Sequence, residues 1–201
     1  MILIGYSGHA YVAYSILRYS GKLVTGYCEN EEKEYNPFGL IYYGSENSPG
    51  GRKSINENPF FIAIGNNQIR KIIFHSLSEQ KLFPENVIHP SSIICPTTEI
   101  HTNGIMISIG VVINPLAVIG KGAICNTGCI IEHECVIGEF AHIGPGAVLC
   151  GNVKIGNQSF VGAGAVIRQG IKVGNNVIIG AGAVVVKDIG DNCTVIGNPA
   201  R

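Results

Sequence analysis

From Ile107 to Val185 an aliphatic residue returns at every sixth position: Ile107, Ile113, Ile119, Cys125, Ile131, Ile137, Ile143, Leu149, Ile155, Val161, Ile167, Val173, Ile179 and Val185. Only Cys125 departs from Ile, Leu or Val. A helix repeats its apolar face every 3.6 residues and an alternating strand every second residue, so neither gives this spacing. A sustained period of six is that of a solenoid of hexapeptides, a parallel β-helix. Two residues ahead of each aliphatic runs a second lane that includes Ala117, Ala123, Cys129, Cys135, Ala141, Ala147, Ser159, Ala165 and Ala183. Residues two apart on a strand point the same way, so both lanes face one interior and the small lane leaves room for the large one. Glycine follows the aliphatic at 120, 138, 144, 156, 162, 174 and 180. Glycine accepts positive φ, so the chain is expected to turn its corners there. The period starts earlier, at Ile88, Ile94 and Ile100, and the step to Ile107 is seven residues. The extra residue is expected in a small loop at Thr102-Asn103-Gly104.

Residues 1–84 carry a different pattern. Met1 to Gly5 is a short apolar run ending in Gly5-Tyr6-Ser7-Gly8-His9, and Ala10 to Tyr19 has helical spacing through Tyr11, Tyr14, Ile16 and Leu17. Strand, glycine turn and helix open a doubly wound α/β unit. A second apolar run, Leu23 to Cys28, ends at Glu29-Asn30; a third, Phe60 to Ile64, ends at Gly65-Asn66-Asn67. Gln68 to Lys81 is an amphipathic helix through Ile69, Ile72, Ile73 and Leu77, whereas residues 31–58 are rich in Asn, Gly and Pro and are expected to be loop. Pro84 marks the boundary. The expectation is therefore a small Rossmann-like α/β domain over 1–84 and a parallel β-helix over 85–201. Ligands of open parallel sheets sit at the carboxyl ends of strands, and three such ends occur at Gly5–His9, Glu29-Asn30 and Gly65–Asn67. The first can offer backbone N–H groups at a helix start to an anion. The dinucleotide fingerprint G-x-G-x-x-G is absent, which disfavours NAD.

Composition narrows the function classes. The formal net charge is zero and charged residues make up 14% of the chain, so no basic face for nucleic acid is expected. No apolar run approaches the ~18 residues of a membrane span, and the N-terminus lacks a basic leader, so no membrane insertion and a cytoplasmic location are expected. Seven cysteines occur without a C-x-x-C pair, and Cys125, Cys129 and Cys135 fall in the inward lanes as small core hydrophobes.

These segments carry a resemblance. Val118-Ile119-Gly120, Val136-Ile137-Gly138 and the closing Gly197-Asn198-Pro199-Ala200 resemble the left-handed β-helix hexapeptide-repeat acyltransferases. Gly5–His9, Phe60–Asn67 and Ile131-Glu132-His133-Glu134-Cys135-Val136-Ile137-Gly138 are similar to the nucleotide-sugar N-acetyltransferases of bacterial bacillosamine synthesis, with the sialic acid O-acetyltransferase-like proteins as near relatives. The resemblance covers almost the whole chain. It implies left-handedness, a homotrimer, acetyl-CoA as co-substrate in a cleft between adjacent solenoids, no metal, and a UDP-linked 4-amino-4,6-dideoxy sugar held partly by the N-terminal domain.

His133 lies two residues past an inward aliphatic and is expected at a corner, facing outward. By resemblance it is the general base: a sugar amine is protonated at neutral pH, and an imidazole can take a proton from it before or during attack on a thioester. Glu134 is by resemblance the carboxylate that fixes its tautomer and raises its basicity, with Glu132 as the other possible partner. The same resemblance assigns His142 to acetyl-CoA, with Gly162, Ala163, Gly180 and Ala181 beside its pantetheine arm, and Ser7, Gly8, His9, Glu29, Asn30, Gly65 and Asn126 to the sugar nucleotide. Where many relatives carry paired Asp, this chain has Glu29-Asn30. Transfer to a hydroxyl of a sialic acid or other sugar, a zinc-dependent hydratase of the carbonic anhydrase type and a non-catalytic nucleotide-sugar binding protein are the competing readings. The hydratase needs three converging histidines, of which His133 and His142 supply two.

Overall fold

The computed structural model describes residues 1–201. The N-terminal part runs β1 (Ile2–Ile4), α1 (Gly8–Tyr19), β2 (Gly26–Cys28), β3 (Ile41–Tyr42), α2 (Pro49–Glu57), β4 (Phe60–Ile62) and α3 (Asn67–Ser78). Its sheet has the order β3-β2-β1-β4 and every pairing is parallel. All residues of β1, β2 and β4 are buried, which is why these strands read as continuous apolar runs: helices cover both faces of the sheet. Helix α1 buries Ala10, Ala13, Ile16 and Leu17. Helix α3 is started by Asn66, whose side chain accepts from the N–H groups of Gln68 and Ile69.

The region 31–58 differs from expectation, since it contains β3 and α2. Strand β3 is two residues long and has no legible alternation. Helix α2 did carry a start signal, Ser48-Pro49: Ser48 caps Gly51 N–H at 3.1 Å and Pro49 occupies the first turn.

From Val87 onward the chain winds through three parallel sheets. Face 1 contains Val87–Ile88, Met106–Ile107, Ile124–Cys125, His142–Ile143, Phe160–Val161, Ile178–Ile179 and Thr194–Val195. Face 2 runs from Ile93–Ile94 to Val184–Val185, and face 3 from Glu99–Ile100 to Lys172–Val173. Successive coils pair in register eighteen residues apart, as in Ile131 with Leu149. The two inward lanes form one continuous core from Ile105 to Val185. Burial pushes the Cys135 thiol up to about 11, consistent with a packing role.

The corners are built differently from expectation. The glycines that follow the aliphatics do not have positive φ; from the Ile107 corner to the Ile179 corner the left-handed residue is the third after the aliphatic, among them Gly110, Leu116, Gly122, Glu134, Phe140, Asn152 and Asn176. The glycine directly after the aliphatic is required by close approach of coils. A Cβ on Gly144 would lie 2.5 Å from the Val161 carbonyl oxygen and 2.9 Å from Ala163 N, and one on Gly138 would lie 2.7 Å from Asn157 N.

The N-terminal part packs on the first coils of face 1. Val87, Met106 and Ile124 point outward from that face and join the cluster of Leu3, Tyr6, Ala10 and Leu17. Arg70, only 1% exposed, links the two parts. Its guanidinium donates to the carbonyls of Gly122 and Phe140 on the solenoid, to those of Ile64 and Gly65, and to Asn67 Oδ1. Beyond His142 the outer surface of face 1 is open, and Phe160 and Ile178 are exposed there.

Candidate functional site

The carboxyl ends of β1, β2 and β4 surround a cavity of about 380 Å³ lined by Gly5, Ser7, Glu29, Asn30, Glu46, Gly65 and Asn66, among others. This is the crevice at which the strand order switches: β1 connects through α1 to β2 on one side, and the later connection from β3 through α2 crosses back to β4 on the other. Of the residues expected to hold a sugar nucleotide, Ser7, Glu29, Asn30 and Gly65 meet here. Glu29 accepts from Tyr6 N–H at 3.2 Å and Asn30 N–H at 3.0 Å, and Lys33 lies 3.8 Å away. A carboxylate therefore already uses one of the backbone donors that the first glycine turn offers. Gly8 is exposed at the start of α1 with no neighbour at its Cβ position. The cavity shares Gly65 and Asn66 with a second one of about 470 Å³, which runs onto face 1 past Gln158, Phe160, Asn176 and Ile178.

His9 lies apart from the crevice. Its ring packs against Gly65 and stands 5.9 Å from the ring of His142, which rises from face 1 beneath the N-terminal part. His142 Nε2 is 3.1 Å from Asn126 Nδ2, while His142 Nδ1 and His9 Nε2 are buried without a hydrogen bond. Burial, and secondarily the Arg70 charge, lowers His9 to about 4. Burial, followed by Arg70 and then His9, lowers His142 to about 3, with only partial opposition from the Gly65 backbone. Both imidazoles are thus neutral at physiological pH.

His133 occupies the corner between Ile130–Ile131 of face 2 and Val136–Ile137 of face 3. Its side chain is 48% exposed, and Nδ1 lies 2.9 Å from Glu134 Oε2. Neighbours on a straight strand point opposite ways, but Glu134 takes the left-handed corner conformation, φ 60°, which brings its carboxylate to the ring. Glu134, rather than Glu132, is therefore the carboxylate paired with His133. A triangular prism places the edge between faces 2 and 3 opposite face 1. His133 and His142 accordingly stand on different sides of one chain. No group of three His, Cys, Asp or Glu side chains converges as a metal site.

Asn126, Gly162, Ala163, Gly180 and Ala181 share the edge between faces 1 and 2. Gly162 is buried, and a Cβ there would lie 2.5 Å from Ala181 N, so only glycine fits between these coils. Ala163 and Ala181 are exposed, and their N–H groups donate to no protein acceptor. The edge thus presents small residues and free amide donors one coil apart.

Sequence reasoning missed Arg70, Glu46 and the Asn66–Phe160 groove. Arg70 shares the buried face of α3 with Phe74 and Leu77, whereas Ile69 and Ile72 of the expected apolar stripe are exposed, so the sequence pattern pointed to a different face and carried no signal for Arg70.

A family model for the PglD N-terminal domain matches residues 1–77, and one for the bacterial transferase hexapeptide (six repeats) matches residues 134–169 and 152–187. PerB from Caulobacter crescentus, solved in complex with CoA and GDP-perosamine, is 32% identical with a TM-score of 0.91, over 100% of this chain and 95% of that one. The acetyltransferase domain of PglB from Neisseria gonorrhoeae, solved with acetyl coenzyme A, is 31% identical with a TM-score of 0.90, over 100% and 97% of the two chains. WeeI from Acinetobacter baumannii is 25% identical with a TM-score of 0.88, over 100% and 97%. The chain belongs to the hexapeptide-repeat sugar N-acetyltransferases that carry a PglD-type N-terminal domain, and its β-helix is the left-handed one of that family. No helix is long and apolar enough to cross a membrane.

Proposed function

We propose that this protein transfers the acetyl group of acetyl-CoA to the 4-amino group of a nucleotide-linked 4-amino-4,6-dideoxy sugar, UDP being the nucleotide that the family resemblance implies. The relative PerB was solved with CoA and a GDP-linked sugar, so both nucleotides belong in the test. Residues 1–84 hold the nucleotide sugar in the crevice of Ser7, Glu29, Asn30 and Gly65, and residues 85–201 carry the transfer. The carrying observation is the His133–Glu134 pair at 2.9 Å on an exposed edge. Glu134 accepts Nδ1–H and leaves the lone pair of Nε2 free to take a proton.

Acetyl-CoA supplies the acyl group as an activated thioester. The free N–H groups of Ala163 and Ala181 suit the amides of a pantetheine arm, and small residues let that arm lie against the backbone. The ammonium first loses its extra proton to solvent, and His133 removes a second proton from the nitrogen as the neutral amine bonds to the acyl carbon. The C–S bond then breaks, and His133 returns the proton to the departing sulfur. The amine is itself the nucleophile, so no acyl-enzyme forms.

The reaction requires more than one copy of the chain. The N-terminal part sits on face 1, opposite the edge that carries His133. Face 2 joins the His133 edge to the Ala163 edge, and its outward residues are all apolar: Ile93, Val112, Ile130, Val148, Val166 and Val184. Packing face 2 around a three-fold axis covers this stripe and brings His133 of one copy to the Ala163 edge of the next, which supports a homotrimer with composite sites. Acetyl-CoA as co-substrate suits a cytoplasmic reaction.

The test is release of free thiol from acetyl-CoA with a panel of UDP- and GDP-linked amino sugars, together with their 4-hydroxy counterparts. The expected result is turnover with an amino sugar and a loss of two or more orders of magnitude in His133→Ala, as for removal of a general base. Turnover confined to hydroxyl acceptors would reassign the enzyme to O-acetylation, and wild-type turnover by His133→Ala would remove His133 from the mechanism.

A further inference from the structure

We infer that Gly151 is a positioning residue for His133, an inference that rests on the reading of His133 as the base. Gly151 is the second residue after an inward aliphatic, the place that His133 occupies one coil earlier. Across the fourteen corners from Ile109 to Lys187 this place is filled by residues as different as Ile, Pro, Lys, Glu, Asn and Gln, and Gly151 is its only glycine. Backbone conformation does not call for a glycine there. The left-handed residue of that corner is Asn152, φ 56°, and Gly151 does not have positive φ.

What surrounds Gly151 supplies the reason. A Cβ at this position would overlap Cε1 and Nε2 of His133 and come within 3.1 Å of Nδ1. The imidazole is therefore folded down onto the Gly151 backbone, in space that any side chain would fill. The coils are fixed to each other at this level, since Asn152 N–H donates to the His133 carbonyl at 2.8 Å and Gly170 N–H to the Gly151 carbonyl at 2.9 Å. Neither backbone segment can yield to a new methyl group, so the ring must. Moving the ring breaks the Nδ1 contact with Glu134 and takes Nε2 away from its working position. Gly151 thus selects the one orientation in which the tautomer is set by Glu134.

The test uses Gly151→Ala in the full-length protein, with the acetyl-CoA thiol-release assay and ¹⁵N-histidine spectra, His133→Ala serving for assignment. A methyl group that shifts the ring is expected to lower kcat about 10- to 100-fold, the effect of displacing a reacting group by about 1 Å, with KM for acetyl-CoA within about 2-fold of wild type. The His133 ring nitrogens should move from an Nδ1–H signature to that of mixed tautomers. In the His133→Ala background the same change should have no further effect on rate, because the two residues act as one unit. Wild-type turnover and an unchanged His133 signature in Gly151→Ala would overturn the inference, as would an equal rate loss in the His133→Ala background. Should Gly151→Ala fail to fold, the double variant decides: recovery of folding on removal of the ring supports the inference, and continued failure overturns it. Full activity of His133→Ala would instead remove the proposed base, while the tautomer comparison would still test Gly151.

Discussion

Acidification should weaken this protein through one buried pair, His9 and His142. Each imidazole has a folded pKa below its unfolded value of about 6.5, at about 4 for His9 and about 3 for His142. Between these limits the unfolded chain binds protons that the folded chain refuses, so stability rises with pH across the window. The contribution is complete above pH 6.5 and is lost progressively as pH falls towards 4 and 3. From pH 7 to pH 5 the loss is about 2 kcal/mol for each histidine and about 4 kcal/mol for the pair. The cause is structural: protonation would set two further cations beside the buried Arg70 guanidinium, which has no carboxylate partner. Urea unfolding at fixed protomer concentration, followed by circular dichroism at pH 7, 6 and 5, measures the slope. His142→Gln, which cannot titrate, should remove about half of it whatever its stability at pH 7, and addition of His9→Gln should remove most of the remainder. Equal stability at pH 7 and pH 5 in the wild type, or an unchanged slope in the double variant, would refute the reasoning.

Two further substitutions test the corner design and the assembly. Gly144→Ala should destabilise by about 1–3 kcal/mol, since its Cβ would lie 2.5 Å from the Val161 carbonyl oxygen, whereas Gly164→Asn should change stability by less than about 0.5 kcal/mol, because its φ of 66° is one that Asn152 and Asn176 already adopt in equivalent corners; thermal melts distinguish the two. Val148→Asp places a carboxylate in the middle of the outward stripe of face 2 and, on the proposed assembly, should convert the expected trimer to monomer in sedimentation velocity, with loss of acetyl transfer, whereas a trimer that persists would show that another face forms the interface.

The inward lanes were legible because a core that repeats every coil imposes the same demand at every sixth residue, and Ile131, Leu149 and Ile167 are found stacked as the period requires. The glycines were legible as a pattern but misread in cause. Two places in each corner accept glycine for different reasons, one for space between coils and one for φ, and one sequence cannot separate them without the coil-to-coil distance. Helix α2 and strand β3 escaped because nine and two residues are too few for a hydrophobic period to emerge from a polar segment. Arg70 escaped because its value lies in contacts up to 70 residues away, with Gly122 and Phe140.

The site was half legible for a related reason. His133 and Glu134 are adjacent in sequence, and only the left-handed corner turns that adjacency into a contact. His142 is nine residues further on, yet half a coil of a triangular solenoid carries it to the opposite side of the prism, onto the face that bears the N-terminal part. Proximity in sequence therefore argues against, not for, joint action of these two histidines within one chain. A single copy offers the proposed base on one side and the proposed nucleotide-sugar crevice on the other, and the prism between them is a packed core from Ile105 to Val185. Joining them requires a second copy, and the apolar stripe of face 2 lies on the one face that touches both the His133 edge and the Ala163 edge. On the proposed mechanism, the same repeat that fills the interior thus also calls for the chemistry to be assembled between chains.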